Sequence, residues 1–306
     1  MAPEVTVVIP TRDRPAGLAA ALDALRAQTL DPGRFEVVVV DDGSSPPALA
    51  SAGGLDVRVV RHDAPRGPAA ARNTGWRAAR GGLVAFTDDD CTPGAHWLEA
   101  LVAASGADER IVVQGPIAPR PDQRELLGPL SHTLDVAGPS PYAMTANIAY
   151  PRALLERLGG FDEWFRRACG EDVELGARAA KAGAVTRFAP DALVHHDVRR
   201  LTLREHLRHA AKWGDAARAL ALHPELRELL TARLFFRPSH PALLLAVAAV
   251  VSRRPLLAIP YALSLRARHG GDLRAAARAA PLHAAIDAAE VATMAAASIR
   301  HRTPIL

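Results

Sequence analysis

The sequence predicts an α/β fold with a mostly parallel central sheet, followed by a C-terminal helical extension. Three observations carry this. Short β-branched runs alternate with segments of helical spacing, in the order β-α-β-β-α-β between Val5 and Phe86. The runs are apolar throughout instead of alternating, as strands covered on both faces are. Acidic and hydroxyl residues gather where the runs end, the edge at which open parallel sheets bind ligands.

Taken in order, Val5-Thr6-Val7-Val8-Ile9 is the first strand, ended by Pro10-Thr11. Pro15 suits the first turn of a helix, and Leu18, Leu22 and Leu25 then recur at helical spacing. Asp31-Pro32-Gly33 breaks that helix. Phe35 to Val40 is the second strand, ending in Asp41-Asp42-Gly43-Ser44. Val57 to Val60 is a short third, Ala69 to Arg80 a helix, and Leu83 to Phe86 a fourth strand. Further on, Gly159 fits a helix stop, Gly170-Glu171-Asp172 opens another helix, and Pro190 to Val194 reads as a late strand. From about residue 200 the chain turns arginine- and alanine-rich. Two apolar runs, Pro241 to Val251 and Leu256 to Leu265, flank Ser252-Arg253-Arg254. Neither reaches the roughly 18–20 residues of a spanning helix. They fit either an interfacial hairpin or a helical hairpin packed on protein. The expected division is therefore 1–200, with halves at about 1–115 and 116–200, and a helical extension 201–306.

Composition narrows the function. The net charge is +4 over 306 residues, carried almost wholly by arginine, with no basic stripe interleaved with aromatics. Nucleic acid is not an expected partner. Two isolated cysteines, Cys91 and Cys169, make neither a disulfide framework nor a zinc motif, and suit a reducing cytoplasm. No basic segment precedes Val5, so no signal peptide is expected. No G-x-G-x-x-G follows a strand and no G-x-x-x-x-G-K-[ST] is present, which disfavours dinucleotide dehydrogenases and P-loop NTPases.

The strongest chemical signal is Asp88-Asp89-Asp90, directly after an apolar strand. Three carboxylates held close need a cation to stay ionised. Carboxylate oxygens suit Mg²⁺ or Mn²⁺, which usually share their shell with substrate phosphates. Asp42 could accept a base N–H, and Arg66 or Arg72 could meet a base or a diphosphate. Glu171-Asp172 is either an ordinary acidic helix start or a general base at a cleft. His195-His196 is either a surface pair or a source of a metal ligand.

In their order these pieces resemble a family 2 glycosyltransferase of the GT-A fold. The matching segments are Val5 to Thr11, Val38 to Ser45, Ala71 to Gly75, Phe86 to Pro93 with Trp97-Leu98, Asn147, Gly159 to Glu163, Glu171 to Leu175 with Arg178, and Pro190 to His196. The resemblance implies a Rossmann-like nucleotide-diphospho-sugar transferase fold. It implies that Pro10, Thr11, Asp42, Arg66, Arg72, Asp88 and Asp89 bind the nucleotide sugar. Asp88, Asp90 and His196 would take Mn²⁺ or Mg²⁺, His195 being the weaker candidate. Asn147 and Glu171 would meet acceptor or sugar, and Asp172 would be the catalytic base. It further implies a metal-dependent inverting transfer from a nucleoside-diphosphate sugar to a glycan or lipid-linked acceptor in cell-envelope synthesis. The chain would then be cytoplasmic, or peripheral on the inner membrane face through 241–265. His209-Ala210-Ala211-Lys212-Trp213 only echoes the Q-x-x-R-W of processive members, which points to single transfers. A nucleotidyltransferase and a non-catalytic sugar-nucleotide-binding scaffold are the competing readings. The first lacks a glycine loop after strand one, and intact Asp90 and Asp172 weigh against the second.

Overall fold

A computed structural model of the chain describes residues 2–49 and 53–306. They form two compact units, one of residues 2–49, 53–126 and 132–199, the other of 127–131 and 200–306. In the first unit the elements are β1 (Val5–Thr11), α1 (Pro15–Arg26), β2 (Phe35–Asp41), β3 (Val57–Arg61), α2 (Pro68–Arg77), β4 (Leu83–Phe86), β5 (Cys91–Pro93), α3 (Trp97–Ser105), β6 (Ile111–Gln114) and β7 (Ile117–Pro119). After a short β8 (Ser131–His132) come β9 (Ile148–Pro151), α4 (Arg152–Leu158), α5 (Glu171–Lys181), β10 (Val185–Phe188), β11 (Val194–His196) and β12 (Arg199–Arg200).

Seven strands make the main sheet, in the order β10-β6-β9-β4-β1-β2-β3. The pairs β1–β2, β1–β4, β2–β3 and β6–β10 are parallel. Antiparallel β9 sits between β4 and β6. The continuous valine runs of β1 and β2 are buried on both faces, as their composition requires. Helix α2 lies close on β1: a Cβ at Gly75 would stand 2.3 Å from Val8 Cγ1. A second sheet has the order β5-β11-β7. The late strand begins at Val194, not at Pro190. Pro190 and Asp191 instead form a turn, consistent with the missing N–H of proline.

The second unit is helical: α6 (Leu203–Lys212), α7 (Ala216–Leu222), α8 (Ser239–Ser252), α9 (Ile259–Arg268) and α10 (Leu273–His301). Helix α6 starts on a capping box, Thr202 with Glu205. The two apolar runs become α8 and α9, a hairpin joined through a 3-10 turn at Pro255–Ala258. Among the described residues, α10 is long and apolar enough to cross a membrane by length and composition. Its two mid-helix carboxylates are paired within the unit. Glu290 accepts from Arg237 at 2.6 Å, and Asp287 from Tyr261 at 3.0 Å and Arg268 at 3.1 Å.

Candidate active site

Parallel pairing brings three strand ends to one edge. Thr11 of β1 lies beside Asp41 of β2, and Val8 beside Phe86 of β4, so the chain leaves β4 into Asp88–Asp90 next to the exit of β1. Thr11 donates its hydroxyl to Asp89 at 2.7 Å. Arg14, the residue just before Pro15 at the start of α1, reaches across. Its Nη1 donates to Asp89 at 3.0 Å and to Asp90 at 2.6 Å. Burial is the main influence on the Asp89 carboxyl, and it outweighs Arg14 and Thr11 to push the group up to about 6. Burial also works to raise Asp90, but His196 and Arg14 more than offset it and hold the carboxyl below its ordinary value.

Arg14 therefore supplies a cation that the carboxylate cluster needs. Arg14→Ala is expected to lower stability in EDTA by roughly 1–2 kcal/mol. This is below the ~3–5 kcal/mol of a fully buried pair, because the Arg14 side chain is 37% exposed. The unfolding midpoint should recover more on adding Mn²⁺ than that of the parent protein. Equal responses in the two proteins would remove this role.

The second sheet supplies the histidine. Register in β11 pairs His196 with Cys91 and His195 with Thr92, so alternation along the strand sends only His196 toward Asp90. His196 Nε2 lies 3.7 Å from Asp90 Oδ1. Its Nδ1 faces the Asp197 carbonyl at 2.8 Å, which orients the ring and leaves Nε2 as the nitrogen that faces the carboxylate. An imidazole nitrogen and a carboxylate oxygen facing each other are a donor set that fits a divalent cation. Cys91 Sγ is also near, and burial raises its thiol well above the ordinary value.

A buried guanidinium links this cluster to α5. Arg72, on α2, donates to Asp88 at 2.8 Å and to Glu171 at 3.0 Å, and is 3% exposed. Its Nε and the second oxygen of Glu171 are buried with no hydrogen-bond partner. The next residue on α2 sets this geometry. Asn73 accepts from Phe161 N–H at 2.8 Å and donates to the Phe161 carbonyl at 2.9 Å. Gly160 permits that approach, since a Cβ there would stand 2.3 Å from Asn73 Oδ1. Asp172 follows Glu171 and is half-buried. Burial first, and the Glu171 charge second, raise its carboxyl well above the ordinary range, against the pull of Arg72.

At the end of β2, Asp42 accepts from the backbone N–H of Arg66 and of Gly67, each at 2.8 Å, and lies 2.7 Å from His62 Nδ1. Gly67 has φ +96°, and a Cβ there would meet the Arg166 carbonyl at 2.6 Å, so glycine is required. Asp41 is a loop brace, accepting from Ser44 N–H and Ala48 N–H.

Comparison with known proteins adds the decisive observation. The family model described as Glycosyl transferase family 2 matches residues 6–164, just over half of the chain. The chain belongs to glycosyl transferase family 2. Pre-mycofactocin glycosyltransferase of Mycobacterium tuberculosis is 37% identical over 238 residues, covering 72% of this chain and 48% of that one. Validoxylamine A glucosyltransferase of Streptomyces hygroscopicus subsp. limoneus is 32% identical over 215 residues, covering 58% and 48%. The chain thus spans about half the length of these curated relatives. Among solved structures, a mannosyltransferase from Pyrobaculum calidifontis in complex with GDP-Man and Mn²⁺ superposes with a TM-score of 0.55 at 24% identity, over 99% of this chain and 88% of that one. The fold is GT-A, as the resemblance implied.

In this family 2 chain, Asp88, Asp89 and Asp90 are linked through hydrogen bonds or ion pairs to Thr11, Arg72 and His196, and Arg72 in turn to Glu171. Pro10 lies on β1 directly before Thr11. Arg66 stays half-exposed beside Asp42, paired to Glu163 at 2.8 Å. Two expectations change. Arg72 is committed to two carboxylates and not to a base. Asn147 is fully engaged in structure: its amide donates to the Pro116 and Ala192 carbonyls at 2.8 and 2.7 Å, and its oxygen accepts from Trp97 Nε1 at 2.8 Å. That side chain ties β9, α3 and the β6–β7 turn together, and has no donor left for a sugar. His195 lies off the cluster, with its Nδ1 buried and without a partner. Sequence reasoning gave no role to Arg14 or His62. The only signal for Arg14 was a basic residue before Pro15, next to a strand end.

Proposed function

We propose that the chain transfers a sugar from a nucleoside-diphosphate sugar to an acceptor hydroxyl with inversion, in cell-envelope glycan or glycolipid synthesis at the inner membrane face. The observation that carries this reading is Arg72, which joins donor-side Asp88 to Glu171, the neighbour of the base Asp172. Asp42, Arg66 and the turn at Gly67 take the nucleoside. Asp90 and His196 hold Mn²⁺ or Mg²⁺, with Asp88 on the same cluster. When bound, the divalent cation stabilises negative charge on the diphosphate electrostatically. Asp172 takes the proton from the acceptor hydroxyl as its oxygen bonds to the anomeric carbon. The bond from that carbon to the diphosphate oxygen breaks, and the electron pair leaves with the nucleoside diphosphate. Attack on the face opposite the leaving group inverts the centre. Glu171 keeps its orphaned oxygen available to a sugar hydroxyl. Arg72 and Arg14 hold the acidic groups at fixed separation.

The test is a thermal-shift panel of UDP, GDP, dTDP and CDP with Mn²⁺, Mg²⁺ or EDTA. One nucleotide is expected to raise the midpoint only with metal, since a ligand at about 100 times its Kd stabilises by about 2.7 kcal/mol. Asp90→Asn should abolish that shift. Absence of any metal-dependent shift, or pyrophosphate release from a nucleoside triphosphate, would overturn the reading.

A further inference from the structure

The α8–α9 hairpin of the helical unit has a base and a tip of opposite character. At its base Ala242, Leu243, Tyr261 and Leu265 are buried against Ala276 of α10, and Tyr261 is pinned to Asp287. Toward the turn the aliphatic side chains open to solvent. Val250 and Val251 are each 80% exposed and Leu256 is 76% exposed, and every residue from 250 to 256 is exposed. Large aliphatics at that exposure, grouped on one turn, are an unsatisfied apolar surface and not scattered surface residues.

Charge says what covers it. No acidic residue occurs between Glu228 and Asp272, whereas six arginines do. Two of them, Arg253 and Arg254, stand at the turn, exposed and without an ion pair among the described residues. Arg253 caps α8 in the left-handed conformation, φ +56°, a position that glycine normally fills. A cation is held at the tip in spite of backbone preference. Geometry limits the depth. Helix α8 has 14 residues, about 21 Å of rise, against about 30 Å of bilayer hydrocarbon, so the hairpin cannot span. Valine and leucine side chains beside arginines that reach phosphate level are the make-up of an interfacial element.

We propose that the tip formed by Val250, Val251, Arg253, Arg254 and Leu256 docks the chain onto a bilayer rich in anionic phospholipid. This deepens the membrane placement given above, and its test reads lipid binding instead of sugar transfer, so the two can fail separately.

The experiment is co-sedimentation of the full chain with vesicles of phosphatidylcholine alone or mixed with phosphatidylglycerol. Binding is expected to the mixed vesicles and to weaken with added salt. Replacing Arg253 and Arg254 together by glutamine should reduce it roughly five-fold per arginine. Val251→Asp with Leu256→Asp should reduce it about ten-fold or more, with the unfolding midpoint unchanged because these side chains contact solvent. The proposal is overturned if the parent chain stays in the supernatant with both vesicles, or if the Asp variants bind as well as the parent. It is equally overturned if the parent is a dimer that the Asp variants make monomeric without any lipid effect, since the tip would then join two copies.

Discussion

Asp172→Asn is expected to lower kcat by about 10²–10⁴-fold, the usual worth of a positioned general base. Asparagine keeps the shape and cannot take a proton. The metal-dependent nucleotide shift should persist, because Asp172 is not among the residues proposed to hold the metal or the nucleoside. The pH profile gives a second readout. The base must be ionised, and its carboxyl is raised by burial and by Glu171. As pH falls through that raised value Asp172 is protonated, so activity should decline at a higher pH than an ordinary carboxylate would allow. Glu171→Gln removes the neighbouring charge, and should move this acid limb to lower pH even if turnover also drops. Parent-like turnover in Asp172→Asn would end the assignment.

The largest stability effect is expected at Arg72. Its guanidinium is 3% exposed and bonds Asp88 and Glu171 at 2.8 and 3.0 Å. Arg72→Met keeps the apolar stem and deletes the charge, leaving two carboxylates without their counter-ion. Breaking such a pair destabilises by about 3–5 kcal/mol, mainly through the charge left behind. Urea unfolding measures this directly. Adding Glu171→Leu should recover part of the loss, because one stranded charge is then gone. Arg72→Lys should restore less, since an ammonium cannot bond both partners from one plane. A loss below about 1 kcal/mol in Arg72→Met would mean that the bridge contributes little to the fold.

Much of the strand-end carboxylate cluster was legible in the chain. Valine runs of β1 and β2 identified buried strands, Pro15 the start of α1 and Gly159 the end of α4, each signal lying within a few residues of its effect. Asp42 and Asp88–Asp90 announced themselves as polar groups at strand ends, and Glu171-Asp172 as an acidic helix start. Antiparallel β9, by contrast, carries no local mark of its direction. Asn147 looked like a sugar contact and became a brace, because its partners Pro116 and Ala192 are brought to it only by the packed loops.

By itself, then, the sequence determined the family, the α/β order and the carboxylates at the strand ends, since strand and helix periods and end signals are local. Tertiary structure alone decided the partners. It put Arg14 on Asp90 across 76 residues and Arg72 on Glu171 across 99. It also turned His196, the histidine the resemblance favours, toward Asp90, because the register of β11 on β5 selects which side chain faces the cluster. Such choices depend on strand register and close approach between distant segments, quantities that no short window of residues contains.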